Sequence, residues 1–196
     1  MVVGTDATEA RSSTDLRRRP DAGPRRYRVI TFLSMDRNCC WLQLGWDDEG
    51  IAVPTLILGA ICFKDRPNHR HDGRSYAVQS ELVAKTAHLR EKVHALKSFL
   101  SRVRRAPNVA VHVYCNRGKH RSVALAEQFY QLLAYHVREP WLNIDEVRLV
   151  HRSFDWHKHF HHGCHLCATG QGPRRGETKR ALAAKYVLPL WDGCRI

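Results

Sequence analysis

The sequence has no run of about 18 consecutive apolar residues, so a membrane-spanning helix is excluded. It opens Met1-Val2-Val3-Gly4-Thr5-Asp6, with no basic stretch ahead of an apolar one, so no secretory leader is expected and the location read from the sequence is cytoplasmic or nuclear. It has no internal repeat. No strand candidate carries clustered aromatics, which argues against a sheet that stacks RNA bases. Its seven cysteines are odd in number and fall at 39, 40, 62, 115, 164, 167 and 194, which is no secreted disulfide framework. Free thiols in a reducing compartment are expected instead. Acids are scarce: 19 Asp+Glu stand against 32 Lys+Arg in 196 residues, a formal charge of +13.

What is present bounds the class. Hydrophobic content of 43% and five Trp exclude a wholly disordered chain, and the length suits one domain with tails. Six Arg and four acids fall in residues 1–26, and six Lys+Arg and two acids in residues 169–196. Most of the excess therefore belongs to the middle, and a basic folded domain points to a polyanionic ligand such as a nucleotide, a phosphorylated metabolite or nucleic acid.

Residues 1–26 have no apolar period and read as a disordered basic tail. Arg28-Val29-Ile30-Thr31-Phe32-Leu33 is a β-branched run of strand length. Val53 to Phe63 reads as one buried strand after a turn, and Lys64 to Ser75 as a polar loop. Val78, Leu82, Leu89, Val93, Leu96, Leu100 and Val103 form one helical stripe, which predicts a single long helix from Tyr76 to Arg105. A short strand follows from Val109 to Cys115, then a helix from Ser122 to about His136 and a strand from Val147 to His151. This order predicts a single layered α/β domain, residues 27–155, with a mostly parallel sheet and disordered basic tails. In the last segment, 169–196, a short helix is expected over 177–185, and Tyr186, Val187, Leu188, Leu190 and Trp191 are expected to dock onto the domain.

The segment Cys115-Asn116-Arg117-Gly118-Lys119-His120-Arg121-Ser122 joins a strand to a helix start. A helix N-terminus offers N–H groups and partial positive charge; the loop adds three cations and a glycine for close backbone approach. Ser122 is a candidate N-cap or an extra hydrogen-bond donor. All eight residues are candidate anion ligands. The segment is no nucleotide-hydrolysing P-loop, because Gly118-Lys119 is followed by His120 rather than Ser or Thr. Cys115 and Arg121-Ser122 also have the spacing of Cys-dependent phosphatases, in which Cys115 would attack as thiolate and Arg121 would clamp the phosphoryl oxygens. Asp65 or Asp155 could then serve the leaving group.

Cys115 to Glu127, with its Gly-Lys-His-Arg-Ser-Val core, resembles the C-terminal domain of the RapZ family of RNase adaptor proteins. Looser likenesses extend over residues 28–155: the opening strand 28–32, Asp65-Arg66-Pro67-Asn68, and Val150-His151-Arg152. Cys115-Asn116-Arg117-Gly118 stands where that family usually has Cys-Thr-Gly-Gly, which makes this loop more basic. The nucleotide-binding N-terminal half of the family is not in the sequence, so adaptor function does not carry over whole. The resemblance implies a phosphate-ligand pocket in a stand-alone domain, with RNA as a further partner, and adds Asp65, Arg66, Asn68, His151 and Arg152 to the candidate ligands.

The segment 156–168 concentrates five His and two Cys. Cys164-x-x-Cys167 has the spacing of a metal knuckle, and His157 with His161, or His159 with His162, could complete a tetrahedral zinc site. A redox cysteine pair or a pH-sensitive polar loop would use the same residues. No acid lies among them, so a catalytic metal is not expected. Three classes therefore stand: a non-enzymatic phosphate-ligand module, a cysteine phosphatase, and a nucleic-acid-associated zinc module.

Overall fold

The structure is a computed structural model, and it describes residues 28–37, 51–60, 71–152, 167, 169–172 and 174–195. Four strands, β1 (Val29–Asp36), β2 (Thr55–Gly59), β3 (Asn108–Cys115) and β4 (Glu146–His151), pair in the order β2-β3-β1-β4. Every pairing is parallel. The α/β class and the parallel sheet expected from the element order are thus observed. Among the described residues no helix is long and apolar enough to cross a membrane.

The central strands are β-branched on the face that meets the helices. Ile30 and Phe32 of β1 and Val109, Val111 and Val113 of β3 are buried in one core with Leu89, Val93, Leu96 and Leu100. Their period of two puts Ser34 and Cys115 on the same face at the strands' C-terminal ends. The opposite face buries a smaller cluster, Leu33, Met35 and Ala110.

Two expectations change. Among the described residues the second apolar stretch forms strand over Thr55–Gly59, residues 61–63 of the expected strand lying outside them, and Ile57 is exposed because β2 lies at the edge of the described sheet. The predicted long helix is two, α1 (Tyr76–Val83) and α2 (Thr86–Arg102), broken at Ala84 and Lys85. Leu82 and Leu89 are both fully buried. Their separation is two full turns, so the apolar stripe runs across the break without showing it.

Helix α3 (Arg121–Gln131) lies on β1, β3 and β4 and continues through a π-helical turn over Leu132–His136. The C-terminal segment docks in cis, as expected, but is helical further than 177–185. It runs through α4 (Lys179–Leu182), a π-helical turn and α5 (Leu188–Gly193). Trp191 is fully buried in the common core, and its indole N–H donates to Glu139 at 2.6 Å. Lys97 donates to the Trp191 carbonyl at 3.0 Å and approaches Glu139 at 3.3 Å.

Candidate functional site

The sheet order fixes where a ligand can sit. From β1 the chain crosses past β3 to reach β2, and from β3 it crosses past β1 to reach β4, so both connections pass the central pair. In open parallel sheets ligands sit beyond the strands' C-terminal ends, and β1 and β3 are the central pair. Here those ends are Asp36 and Cys115, which are register partners. Asp36 is an acid beside the loop that its sequence context did not mark.

The loop 115–122 leaves β3 at that end of the sheet. Gly118 turns it in the left-handed region, φ +61, where a side chain would be strained, and its N–H donates to the Cys115 carbonyl at 3.3 Å. Asn116 and Arg117 are exposed, Lys119, His120 and Arg121 are half-buried, and Gly118 and Ser122 are buried. Arg121 opens α3, and the N-cap position is His120, with no side-chain capping bond. Ser122 is therefore not the N-cap expected of it. It lies inside the first turn, and its hydroxyl faces inward, 3.2 Å from the Cys115 sulfur.

A second segment braces this loop from behind. The Gly73 N–H donates to the Lys119 carbonyl at 3.0 Å, and His120 Nε2 lies 2.8 Å from the His71 carbonyl. A carbonyl only accepts, so that contact places the proton on Nε2. A Cβ on Gly73 would fall 2.1 Å from the His120 carbonyl oxygen and 2.6 Å from the Ala124 nitrogen. Only glycine allows the two backbones to approach so closely. Asp72 receives the Arg74 backbone N–H and a two-point guanidinium contact, at 2.8 Å for the closest pair. That bond holds Arg74 charged, its pKa raised above the ordinary arginine value against the cost of burial.

His151 closes β4 on the same face. Its Nδ1 is 2.7 Å from the Ser34 hydroxyl and its Nε2 is 3.5 Å from Glu127. Ser34 and His151 are register partners, which is why they meet. Glu127 is buried on α3 and also takes Lys179 of α4 at 2.9 Å. Burial alone would raise the Glu127 carboxyl; the His151 hydrogen bond and the Lys179 charge outweigh it and hold it below its ordinary value. His151 is thus engaged through both ring nitrogens, and Arg152 follows it, partly buried.

The structure gathers Cys115 through Ser122 into one loop and places His151 and Arg152 at the end of a strand in the same sheet. Asp65, Arg66, Asn68, Asp155, His157, His159, His161, His162 and Cys164 lie outside the described residues. Cys167 is described and buried. Sequence reasoning missed Glu127, Lys179, Ser34 and the bracing role of residues 71–73. The sequence signal for the brace was Asp72-Gly73, a turn pair read only as loop.

Residues 65–155 match the family model of the RapZ C-terminal domain. The family recognised from the loop residues is borne out over that span, which holds the brace, the loop, α3 and β4 and is shorter than the 28–155 expected. No curated protein matches the chain.

Proposed function

From the RapZ C-terminal domain match over residues 65–155 as premise, we propose that the chain is a phosphate-ligand module. Its ligand is a nucleotide, a sugar phosphate or another compact phosphorylated molecule, held by the loop Cys115–Ser122. The observation that carries this reading is the β3–Gly118–α3 unit. It sets Arg117, Lys119 and Arg121 within five residues at a helix start without a side-chain cap, beside the C-terminal end of β1. Backbone N–H groups and the helix dipole favour a dense anion there, and arginine supplies forked donors that match phosphate oxygens.

The test is thermal unfolding of the full chain with inorganic phosphate, nucleotides, sugar phosphates and short RNA. A ligand at 100 times its Kd stabilises by about 2.7 kcal/mol. At roughly 2–4 °C per kcal/mol for a chain of this size, that is a rise of about 5–11 °C. Arg121→Ala is expected to abolish the rise while the fold persists. An undiminished rise in that variant rejects the loop as the site.

One contact favours a second reading, a cysteine phosphatase. A hydroxyl 3.2 Å from Cys115, as Ser122 provides, can donate to a thiolate, and Arg121 stands at the required spacing. This reading requires turnover of an aryl phosphate that is lost in Cys115→Ser. Absence of turnover, or turnover that survives the substitution, removes it.

A further inference from the structure

We propose that Lys179, in the C-terminal segment, is a positioning residue of the anion site and acts on it through the buried carboxylate of Glu127, a role that rests on the proposed function. Lys179 lies beyond the span that matches the family model. Its own segment delivers it rigidly. Thr178 caps α4, its hydroxyl accepting the Ala181 N–H at 3.1 Å, and Leu182, Val187 and Trp191 bury the segment in the common core. Lys179 is the first residue after that cap. Its ammonium donates to Glu127 at 2.9 Å, the shorter of two contacts that this carboxylate makes, His151 being at 3.5 Å.

Glu127 is 3% exposed and sits on the helix whose first turn carries the anion loop. A carboxylate that deep stays charged only with compensation, and removing one partner leaves an uncompensated buried charge. Burial would raise its carboxyl; the His151 hydrogen bond and then the Lys179 charge hold it down. The field of this carboxylate reaches the brace. Arg74, raised chiefly by its Asp72 hydrogen bond, is raised in smaller part by the Glu127 charge. An unpaired negative charge within α3 opposes the binding of an anion at the N-terminus of the same helix.

The backbone of Lys179 is wired to the loop as well. Its carbonyl accepts from the Gln128 amide at 3.3 Å, and that amide also donates to the Gln79 side-chain oxygen. The Gln79 amide donates to the Gly73 and Arg74 carbonyls at 3.1 and 3.2 Å, and Gly73 holds Lys119. Both glutamines are fully buried. Two buried routes therefore leave Lys179. One runs through Glu127 and His151 to Ser34 near the end of β1, the other through Gln128 and Gln79 to the brace. A change confined to the Lys179 side chain cuts the first route and spares the second, which isolates the charge from the packing.

The test is binding of inorganic phosphate to the full chain, with amide hydrogen exchange of the ligand-free chain beside it. Lys179→Met keeps the length of the side chain without its charge and is expected to weaken phosphate binding by about 2–30-fold. Lys179→Arg is expected to bind as the parent does. Lys179→Met combined with Glu127→Gln removes both charges and is expected to regain most of the lost affinity, which a loss of packing would not give. If Lys179→Met does not fold, Lys179→Gln takes its place with the same expectations. In the ligand-free Lys179→Met chain the Gly73 and Ala124 amides, bonded to the Lys119 and His120 carbonyls, are expected to exchange faster than in the parent, with Val111 in β3 unchanged. Phosphate binding within about twofold of the parent in Lys179→Met, or no recovery in the paired variant, overturns the inference and leaves the proposed function standing. A parent chain that binds neither inorganic phosphate nor a nucleotide or sugar phosphate, but whose Gly73 and Ala124 amides loosen in Lys179→Met, removes the proposed function and leaves Lys179 positioning the loop.

Discussion

Gly73→Ala tests whether the brace holds the loop. The added Cβ would meet the His120 carbonyl oxygen at 2.1 Å, the Ala124 nitrogen at 2.6 Å and the Val123 Cβ at 2.7 Å. Two of these three atoms are backbone, so no flexible side chain can step aside. Ordinary contact requires about 3.4 Å or more, so the segments must part by roughly 1 Å, as in overpacked cores that lose about 1–3 kcal/mol. The separation also stretches the bond from Gly73 to Lys119 and the one between His120 and His71, now 3.0 and 2.8 Å. With part of those two bonds lost, the expected cost is about 2–4 kcal/mol, since each contributes roughly 1 kcal/mol. At about 2–4 °C per kcal/mol the midpoint should drop by roughly 4–16 °C. The second readout is phosphate-ligand affinity below that midpoint, which should weaken because the loop is displaced and not merely because the fold is weaker. Ala124→Gly in the same background removes a methyl but leaves the carbonyl clash, and should not rescue. A Gly73→Ala protein as stable as the parent, with unchanged affinity, would refute the claim that residues 71–73 position the loop.

Two further perturbations probe the surrounding structure. Trp191→Ala empties a fully buried indole site and should cost about 3–5 kcal/mol, read as a fall of roughly 6–20 °C in midpoint. A fall of a degree or two would mean that the C-terminal helices contribute little to the core. Glu127 gives a pH dependence. Its folded pKa lies below the ordinary 4.5, so the folded state holds fewer protons than the unfolded one in the acid range. Its contribution is complete above about 4.5 and is lost as pH falls through the depressed folded value. Glu127→Gln should be less stable at neutral pH, by about 3 kcal/mol at the low end for a broken buried pair, because Lys179 can reach solvent. It should also lose stability less steeply on acidification, and parallel parent and variant curves from pH 6 to 3 would contradict the assignment.

The strands and α3 were legible because their signals are local. Val109, Val111 and Val113 alternate along β3, and the apolar residues of α3 recur at helical spacing. The loop was legible for the same reason: strand end, glycine, cations and helix start lie in eight consecutive residues. The break at Ala84 was not, because Leu82 and Leu89 lie in phase on either side of it. Nor was the Ser34–His151–Glu127–Lys179 chain, whose first two members are 117 positions apart and meet only through strand register. The depth of Trp191 was hidden similarly. Its core partners belong to elements far earlier in the sequence, so no period of its own segment records them. What sequence reasoning loses is long-range pairing, and this site's supports are long-range pairs.

That division bears on what the positive charge does. Several cations away from the loop are held by partners: Arg74 by Asp72, Lys179 by Glu127, Lys97 by Glu139 and two carbonyls, and the half-exposed Arg148 by Glu146. Arg28 is buried against the carbonyls of Leu142, Leu100 and Val103. Charges so paired add little field at a distance, since each cancels against a partner within about 3 Å while screening removes the remainder beyond about 8–10 Å. In the loop, Arg117, Lys119 and Arg121 fall within five residues beside a helix N-terminus, which concentrates positive charge at one place. A formal charge of +13 would by itself suit any polyanion. The internal pairs are neutral and leave that number unchanged, so the placement of the charge carries the argument, and three cations gathered at one helix start are what the proposed phosphoryl ligand requires.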